Sequence, residues 1–440
     1  MPSAQPADRP SLFRSLLLTG GGNVVILAVN LVTGVLVARL LGPEGRGEVA
    51  VLLALAQIVG WLGTLGMNEG VTYVAAKGTT ERARLVGTAL VLALGLGALG
   101  VLLAQLLLPL VLSEQSSELL IQGRVYSLSI VLGVASSLLL GVLAGDQDFV
   151  ALTVLRVAQP VSYLAVLVLL AAAGGLTTTD VLLSTAVSMA LVLGLAGWRL
   201  RASTGIGRPS AALARQAARF GVKVQGSLLG SLGTARLDLL LMPTFVTTAA
   251  IGLYSVATNV AYMVVSLVGA VSLVAFPAAA RRGSAAGTVL VTKLLRLVIL
   301  AGVALVLPLG LAAPQLIGLV YGSDFVEAST ALRLLLPGMV LALATGVLDS
   351  GLQAVGRPLA ASAGQLLGLV VTLVGLTLTL SPLGIEGAAA TTSCAYLATF
   401  CFGAWQLRRG GEFSLRALAD ARALRDDLVM LVARVRRRAA

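Results

Sequence analysis

Apolar runs of about 20 residues recur along almost the whole chain, and a helix of that length spans the hydrocarbon core of a bilayer. The runs are separated by short segments rich in polar residues or glycine. The chain is therefore predicted to be an all-α integral membrane protein with twelve transmembrane helices. The predicted spans are residues 15–41, 48–67, 83–112, 119–144, 152–173, 181–200, 220–242, 251–279, 289–312, 328–353, 359–380 and 387–407.

The composition excludes several classes of protein. Only 11% of the 440 residues are charged and 58% are hydrophobic, whereas soluble domains carry about 25% charged residues. Histidine is absent, so imidazole metal ligands and histidine-based catalytic triads are excluded. Cys394 and Cys401 lie in one apolar run and are expected to pack as small hydrophobic side chains. We expect no metal and no cofactor.

The positive charge is distributed unevenly over the segments between the predicted spans. With both termini in the cytoplasm, 26 of the 31 lysines and arginines fall on the cytoplasmic side, as the positive-inside rule requires. The formal net charge of +12 lies in these segments, which indicates anionic membrane lipids as a partner rather than nucleic acid. The predicted organisation is a cytoplasmic start (1–14), two six-helix bundles (15–200 and 219–407), a basic linker (201–218) and a basic tail (408–440), which is expected to form an amphipathic helix.

The two predicted bundles repeat several residues at a nearly constant offset. Glu118 and Arg124 match Glu327 and Arg333 at an offset of 209 residues. Trp198 and Trp405, 207 residues apart, close spans six and twelve, and Gly47 and Gly252 are 205 apart. A duplicated six-span unit is typical of transporters, and it predicts two parallel bundles around a central cavity that opens to either side in turn.

Three sequence elements resemble a known family. The first is Ala38-Arg-Leu-Leu-Gly-Pro-Glu-Gly-Arg-Gly47, the second is Arg236-Leu-Asp238 followed by Ile251-Gly-Leu-Tyr-Ser-Val-Ala257, and the third is the turn Gly141-Val-Leu-Ala-Gly-Asp-Gln147. They resemble motifs of polysaccharide and O-antigen flippases, which belong to the multidrug/oligosaccharidyl-lipid/polysaccharide exporter superfamily. Arg46 stands where that family more often has an aromatic residue, and many members have fourteen spans instead of twelve.

The resemblance implies a function in the bacterial plasma membrane. It implies a flippase that moves a polyprenyl-diphosphate-linked oligosaccharide from the inner to the outer leaflet by alternating access, for the synthesis of cell-surface polysaccharide. A polysaccharide polymerase or glycosyltransferases would be its protein partners.

Four arginines within the predicted spans are the expected substrate-binding residues: Arg236, Arg333, Arg124 and Arg39. They lie in the outer halves of spans one, four, seven and ten, which the duplication pairs. Planar guanidinium groups bind phosphate through two parallel hydrogen bonds, so such a set suits a diphosphate. The alternative is that each arginine extends to the membrane interface and pairs there with a glutamate.

Asp238 is the predicted ion-coupling residue. It lies two positions after Arg236, so the two side chains point about 200° apart around a helix. An acidic residue at this depth either carries a transported proton or ion, or forms a structural pair with another helix.

Two other classes of function must be compared with a flippase. A cation-coupled multidrug exporter of the same superfamily would favour acidic residues within spans one and seven, but span one has none between residues 15 and 38. A membrane-bound glycan polymerase or ligase would need a sizeable outer loop, and the longest one predicted, residues 313–327, is short and has no histidine. We therefore expect that the protein is not an enzyme.

Overall fold

The computed structural model describes residues 12–78, 81–268 and 284–409. Every regular element in these ranges is helical, which confirms the predicted all-α fold class. The first eleven residues of the predicted cytoplasmic start lie outside the described residues, as does the predicted amphipathic helix of the tail beyond residue 409.

The chain divides into two compact units, Met1–Leu228 (the N-terminal unit) and Leu229–Ala440 (the C-terminal unit). Eight helices begin in the N-terminal unit: α1 Leu12–Gly63, α2 Met67–Ala76, α3 Arg82–Val111, α4 Ser117–Ser127, α5 Ser129–Gly145, α6 Phe149–Gly174, α7 Thr178–Ser203 and α8 Ala211–Leu241. The boundary between the units falls within α8. This helix starts at residue 211, in the second half of the segment that the sequence analysis described as a linker.

Five further helices belong to the C-terminal unit: α9 Thr248–Val268, α10 Ser284–Leu311, α11 Ala313–Tyr321, α12 Ala328–Ala354 and α13 Pro358–Arg408. Two short 3-10 turns, Met242–Thr244 and Ser323–Phe325, join α8 to α9 and follow α11. Residues 313–327, which were predicted to form an outer loop, are thus largely helical. Two apolar residues of this segment, Ile317 and Tyr321, lie one turn apart in α11 and are both buried, which favours the helix.

Two of the helices each contain two predicted spans. The backbone of α1 leaves the helical region at Gly42 (φ 68°, ψ −176°), and that of α13 does so at Gly384 (φ 54°, ψ −132°). Glycine adopts a positive φ without the steric penalty of a Cβ atom, so it permits a bend at these positions. The bends lie within four residues of the predicted ends of spans one and eleven.

Nine helical stretches of the described chain are long and apolar enough to cross a membrane. When α1 and α13 are divided at their glycines there are eleven such segments, and α8 contains the predicted seventh span. Leu311, Leu319 and Leu359 are 73–83% exposed. Many other large apolar side chains of the described helices are exposed as well, and an apolar surface of this extent indicates contact with lipid.

Small residues let helices of the C-terminal unit pack closely. The backbone N–H of Gly338 in α12 donates to Ser393 Oγ in α13 over 3.2 Å. A Cβ atom at Gly338 would lie 2.5 Å from the same Oγ. Within a bilayer, close packing of this kind and hydrogen bonds between helices hold a bundle together, because lipid gives no hydrophobic driving force.

Candidate functional site

A polar cluster lies inside the C-terminal unit, where α8, α9 and α13 meet. We call Asp238, Tyr254, Tyr262, Thr392 and Tyr396 the tyrosine–aspartate cluster. Asp238 is 3% exposed although the residues on either side of it in the chain, Leu237 and Leu239, are apolar. Burying a carboxylate in such surroundings is costly unless its oxygens receive hydrogen bonds.

Both carboxylate oxygens of Asp238 have donors. The backbone N–H of Leu239 donates to Oδ1 over 2.8 Å, and the hydroxyl of Tyr254 donates to Oδ2 over 2.5 Å. The Tyr254 Oη also lies 3.5 Å from Thr392 Oγ1. A chain of polar groups therefore connects α8 through α9 to α13 in the interior of the unit.

Two tyrosines of the cluster meet about two helical turns further along α9, where Tyr262 of α9 lies beside Tyr396 of α13. The hydroxyl of Tyr262 donates to the backbone carbonyl of Ala235 over 3.2 Å and lies 3.4 Å from the hydroxyl of Tyr396. Residues eight apart in a helix share a face, so Tyr254 and Tyr262 both point toward α8. These contacts fix the position of α8 at the turn that carries Arg236 and Asp238.

Arg236 contacts the aromatic face of Tyr262. Its guanidinium carbon is 5.5 Å from the centre of the ring, and the side chain is half-buried. Among the described residues, no carboxylate oxygen lies within 4.0 Å of this guanidinium group. A planar guanidinium group on an aromatic ring keeps its N–H groups available for two oxygens of an anion such as phosphate. Although Arg236 and Asp238 point away from each other, both reach tyrosines of α9, because the arginine side chain is long.

The other predicted substrate-binding arginines lie in different surroundings. Arg333 is exposed on α12, and its Nε donates to the backbone carbonyl of Gly310 over 2.9 Å. Arg124 on α4 and Arg39 on α1 are exposed and belong to the N-terminal unit. Arg333 lies five residues after the start of α12 and Arg236 five residues before the end of α8, so each is one to two turns from a helix end. The role of these four residues in substrate binding stays a prediction.

The sequence analysis named Tyr254 only within the family string that also holds Asp238, and it assigned no role to Tyr262, Tyr396 or Thr392. The chain has only seven tyrosines, and three of them lie in this cluster. The eight-residue spacing of Tyr254 and Tyr262 was a visible signal of one helix face. Tyr396 and Thr392 lie more than 130 residues further along the chain, so their place in the cluster depends on the tertiary fold.

Solved structures of two kinds of membrane transporter share this fold. The structure described as lipid II flippase MurJ in an inward closed conformation matches with a TM-score of 0.74 and 12% sequence identity, over 96% of this chain and 92% of the other. An inward-facing multidrug resistance transporter of the MATE family, in the MOP superfamily, matches with a TM-score of 0.72 and 16% identity, over 89% of this chain and 99% of the other. The predicted MATE/MOP-like fold is therefore confirmed.

Sequence relatives identify the family. The probable low-salt glycan biosynthesis flippase Agl15 of Haloferax volcanii is 23% identical over 367 residues, which cover 82% of this chain and 75% of the relative. The sequence model of a family described as "Polysaccharide biosynthesis protein" matches residues 36–330, more than half of the chain. The match extends from the kinked first helix to the start of α12, including the residues around Asp238. The chain belongs to the polysaccharide biosynthesis protein family.

Proposed function

We propose that this protein flips a polyprenyl-diphosphate-linked oligosaccharide from the inner to the outer leaflet by alternating access, for cell-surface polysaccharide biosynthesis. The observation that carries the proposal is Arg236, which is held against Tyr262 inside a membrane-spanning unit and has no carboxylate partner among the described residues. A guanidinium group within a bilayer is costly unless an anion completes its surroundings. A diphosphate linked to a lipid supplies such an anion.

The diphosphate also accounts for the use of arginine. A guanidinium group presents N–H donors in a fixed planar fork that matches two phosphate oxygens, whereas a lysine ammonium acts as a point charge. Contact with Tyr262 limits the orientations of the Arg236 side chain, so less conformational entropy is lost when the ligand binds. Arg333, Arg124 and Arg39 are proposed as supporting residues on the substrate path.

The proposal also states in which membrane the protein lies and on which side its termini are. The protein lies in the bacterial plasma membrane with both termini in the cytoplasm, as its basic segments favour. It is a transporter and not an enzyme, it needs no cofactor, and it delivers substrate to a polysaccharide polymerase or glycosyltransferases. Anionic lipids contact the basic segments.

Asp238 supports a second candidate function, a cation-coupled multidrug exporter. Its carboxyl group is buried within the seventh span, where such an exporter would carry an acidic residue. The same residue also fits the flippase, in which it would couple transport to a proton or ion gradient. Arg236 separates the two candidates, because a cationic drug gains nothing from a nearby guanidinium group.

The experiment measures translocation of a fluorescent undecaprenyl-diphosphate oligosaccharide in proteoliposomes by its accessibility to an added glycosidase. We expect Arg236→Lys to lower the translocation rate about tenfold, as for a lost charge-assisted hydrogen bond, and Arg236→Ala to lower it further. The matched control is Arg199→Lys, because Arg199 is paired with Asp148 at 2.8 Å, at the C-terminal end of α7.

Two outcomes would contradict the proposal. Wild-type protein that moves no lipid-linked glycan but exports a cationic dye such as ethidium would establish the drug exporter instead. Equal translocation by wild type, Arg236→Lys and Arg236→Ala, with protein levels matched, would show that Arg236 does not bind the substrate.

A further inference from the structure

A cleft lies between the end of α2 and the first half of α8, entirely within the N-terminal unit. It encloses about 560 Å³. Its charged lining residues are all basic: Lys77, Arg215, Arg219 and Lys223. Tyr73, Phe220, Ala212 and Gln216 complete the lining. We call this the basic cleft.

The walls of the basic cleft are fixed by close contact between two helix backbones. A Cβ atom at Gly70 of α2 would lie 2.2 Å from the carbonyl oxygen of Ala217 in α8. One at Gly66 would lie 2.2 Å from the carbonyl oxygen of Gly221. Ala217 and Gly221 are four residues apart and thus share one helix face. Only small residues permit such an approach, so close packing of α2 against α8 holds the two walls of the cleft together before any ligand binds.

Aromatic rings form one side of the cleft and position a cation there. The rings of Tyr73 and Phe220 stack with 4.1 Å between their centres and 6° between their planes. The Nζ of Lys77 lies 4.5 Å from the centre of the Tyr73 ring. Since the ring holds the ammonium group by a cation–π contact, the charge is localised at the cleft without a carboxylate partner.

The cations of the basic cleft differ from three arginines of the same unit that form ion pairs. Arg82 pairs with Asp146 at 3.4 Å, Arg84 with Glu81 at 2.7 Å and Arg199 with Asp148 at 2.8 Å. In the described parts of the chain, none of the four cleft cations has a carboxylate oxygen within 4.0 Å. Four exposed positive charges around one concavity create a positive potential that attracts anions, and a multivalent anion gains most from it.

The position of the cleft indicates that this anion is attached to a lipid. The predicted seventh span begins at residue 220, among the cleft-lining residues of α8, so the cleft lies where this helix is predicted to enter the bilayer. The charge distribution places this end of the unit on the cytoplasmic side. A phospholipid with one negative charge would neutralise only one of the four cations.

We propose that the basic cleft binds the diphosphate group of a polyprenyl diphosphate lipid in the inner leaflet, before the lipid is translocated. This inference rests on the proposed function, because it takes its ligand from the substrate class proposed above. A site that captures the ligand raises its occupancy at low concentration. Its loss should therefore raise the apparent KM and leave the rate at saturating substrate unchanged.

The experiment uses the full chain in phosphatidylcholine nanodiscs and measures binding of undecaprenyl diphosphate by native mass spectrometry. The test variant is Arg215→Gln/Arg219→Gln. The control is Arg201→Gln/Arg208→Gln, which removes the same charge from exposed positions outside the cleft. We expect about a tenfold loss of binding in the test variant and less than twofold in the control. Inorganic diphosphate and phosphatidylglycerol serve as competitors at the concentration of the polyprenyl lipid. Inorganic diphosphate should compete weakly because no lipid chain concentrates it at the bilayer surface, and phosphatidylglycerol should compete weakly because it carries a single charge.

Any of three results would overturn the inference. Equal binding by the test and control variants would show that the cleft is not the site. Full competition by phosphatidylglycerol would assign it to anionic lipid in general, and full competition by inorganic diphosphate would assign it to a soluble ligand. Failure of the wild type to translocate any lipid-linked glycan, with cleft-dependent binding intact, would refute the proposed function but not the site.

Discussion

Tyr254 of α9 donates its hydroxyl hydrogen to Oδ2 of Asp238 in α8 over 2.5 Å, and both side chains are buried. The second oxygen of Asp238 is occupied by the backbone N–H of Leu239. A carboxyl group with both oxygens satisfied is stable inside an apolar bundle. Any change of its protonation would alter the contact between α8 and α9, so the pair links a titratable group to the packing of two helices.

The first prediction concerns the role of Asp238 in ion coupling. In Asp238→Asn the amide oxygen still accepts the hydrogen bond from Tyr254, whereas the amide nitrogen cannot accept the one from the N–H of Leu239. We expect the fold to tolerate the loss of this one bond, but no proton can be carried. We expect transport by this variant to be independent of the proton or sodium gradient while substrate binding survives. Translocation in proteoliposomes with and without each gradient measures this.

Tyr254→Phe is the control for that prediction. It removes the donor and leaves the carboxylate, so it should lower the free energy of unfolding by about 1–3 kcal/mol and preserve gradient dependence. If Asp238→Asn instead lowers the protein level and keeps the wild-type gradient dependence, Asp238 is only a structural partner of Tyr254.

A second prediction tests the close packing of α2 against α8. Gly70→Ala places a methyl group 2.2 Å from the carbonyl oxygen of Ala217, so the helices must separate. We expect a loss of stability of about 1–3 kcal/mol, seen as a lower Tm in detergent. Gly194→Ala in α7 is the matched control, because a Cβ there meets no atom within 4 Å. Equal Tm values for both variants would contradict the observed approach of the two backbones.

The third prediction is the orientation in the membrane. Reporter fusions after Leu112, Gly175 and Gly322 should report the outside of the cell, and a fusion after Gly205 should report the cytoplasm. These positions lie between helices, so a fusion there interrupts no span. The reverse pattern would place the basic cleft on the outer surface and would refute its proposed role in capturing substrate from the inner leaflet.

The fourth prediction is a pH dependence of stability due to Asp146, which lies in the connection between α5 and α6. Burial raises the pKa of this carboxyl group and outweighs the nearby Arg82 guanidinium, which lowers it. The folded protein therefore binds this proton more tightly than the unfolded chain does. The contribution of Asp146 to stability should then decrease as the pH rises above about 4, and become constant above the raised pKa.

Thermal unfolding of the wild type and Asp146→Asn over a pH series measures that contribution. The difference in Tm between the two should increase in favour of Asp146→Asn as the pH rises through this range. Arg82→Gln should enlarge the effect, because it removes the charge that lowers the pKa. A difference in Tm that does not change with pH would show that the pKa of Asp146 is not raised.

Much of the fold follows from the sequence because a bilayer imposes a strict requirement on the backbone. Every N–H and C=O group in the hydrocarbon region needs an internal partner, so each long apolar run must be helical. Most predicted spans accordingly fall on described helices, and the bends at Gly42 and Gly384 lie close to predicted span ends. Span four is divided between α4 and α5, and the last part of span eight, residues 269–279, lies outside the described residues. The family resemblance also follows from short stretches of sequence. These stretches contain glycines and a proline at bends and turns, and a bend or turn is determined mainly by residues that are adjacent in the chain.

The tertiary structure decided which side chains meet. Asp238 was recognised as exceptional from its depth in a span, but its partner Tyr254 and the nearby Thr392 come from two other helices. The basic cleft likewise joins Lys77 to arginines more than 130 residues later. Hydropathy determines that a segment crosses the membrane, whereas the rotation of each helix about its axis depends on packing of small residues and on hydrogen bonds between helices. Those contacts involve residues distant in the chain, so they appear only when the helices are assembled.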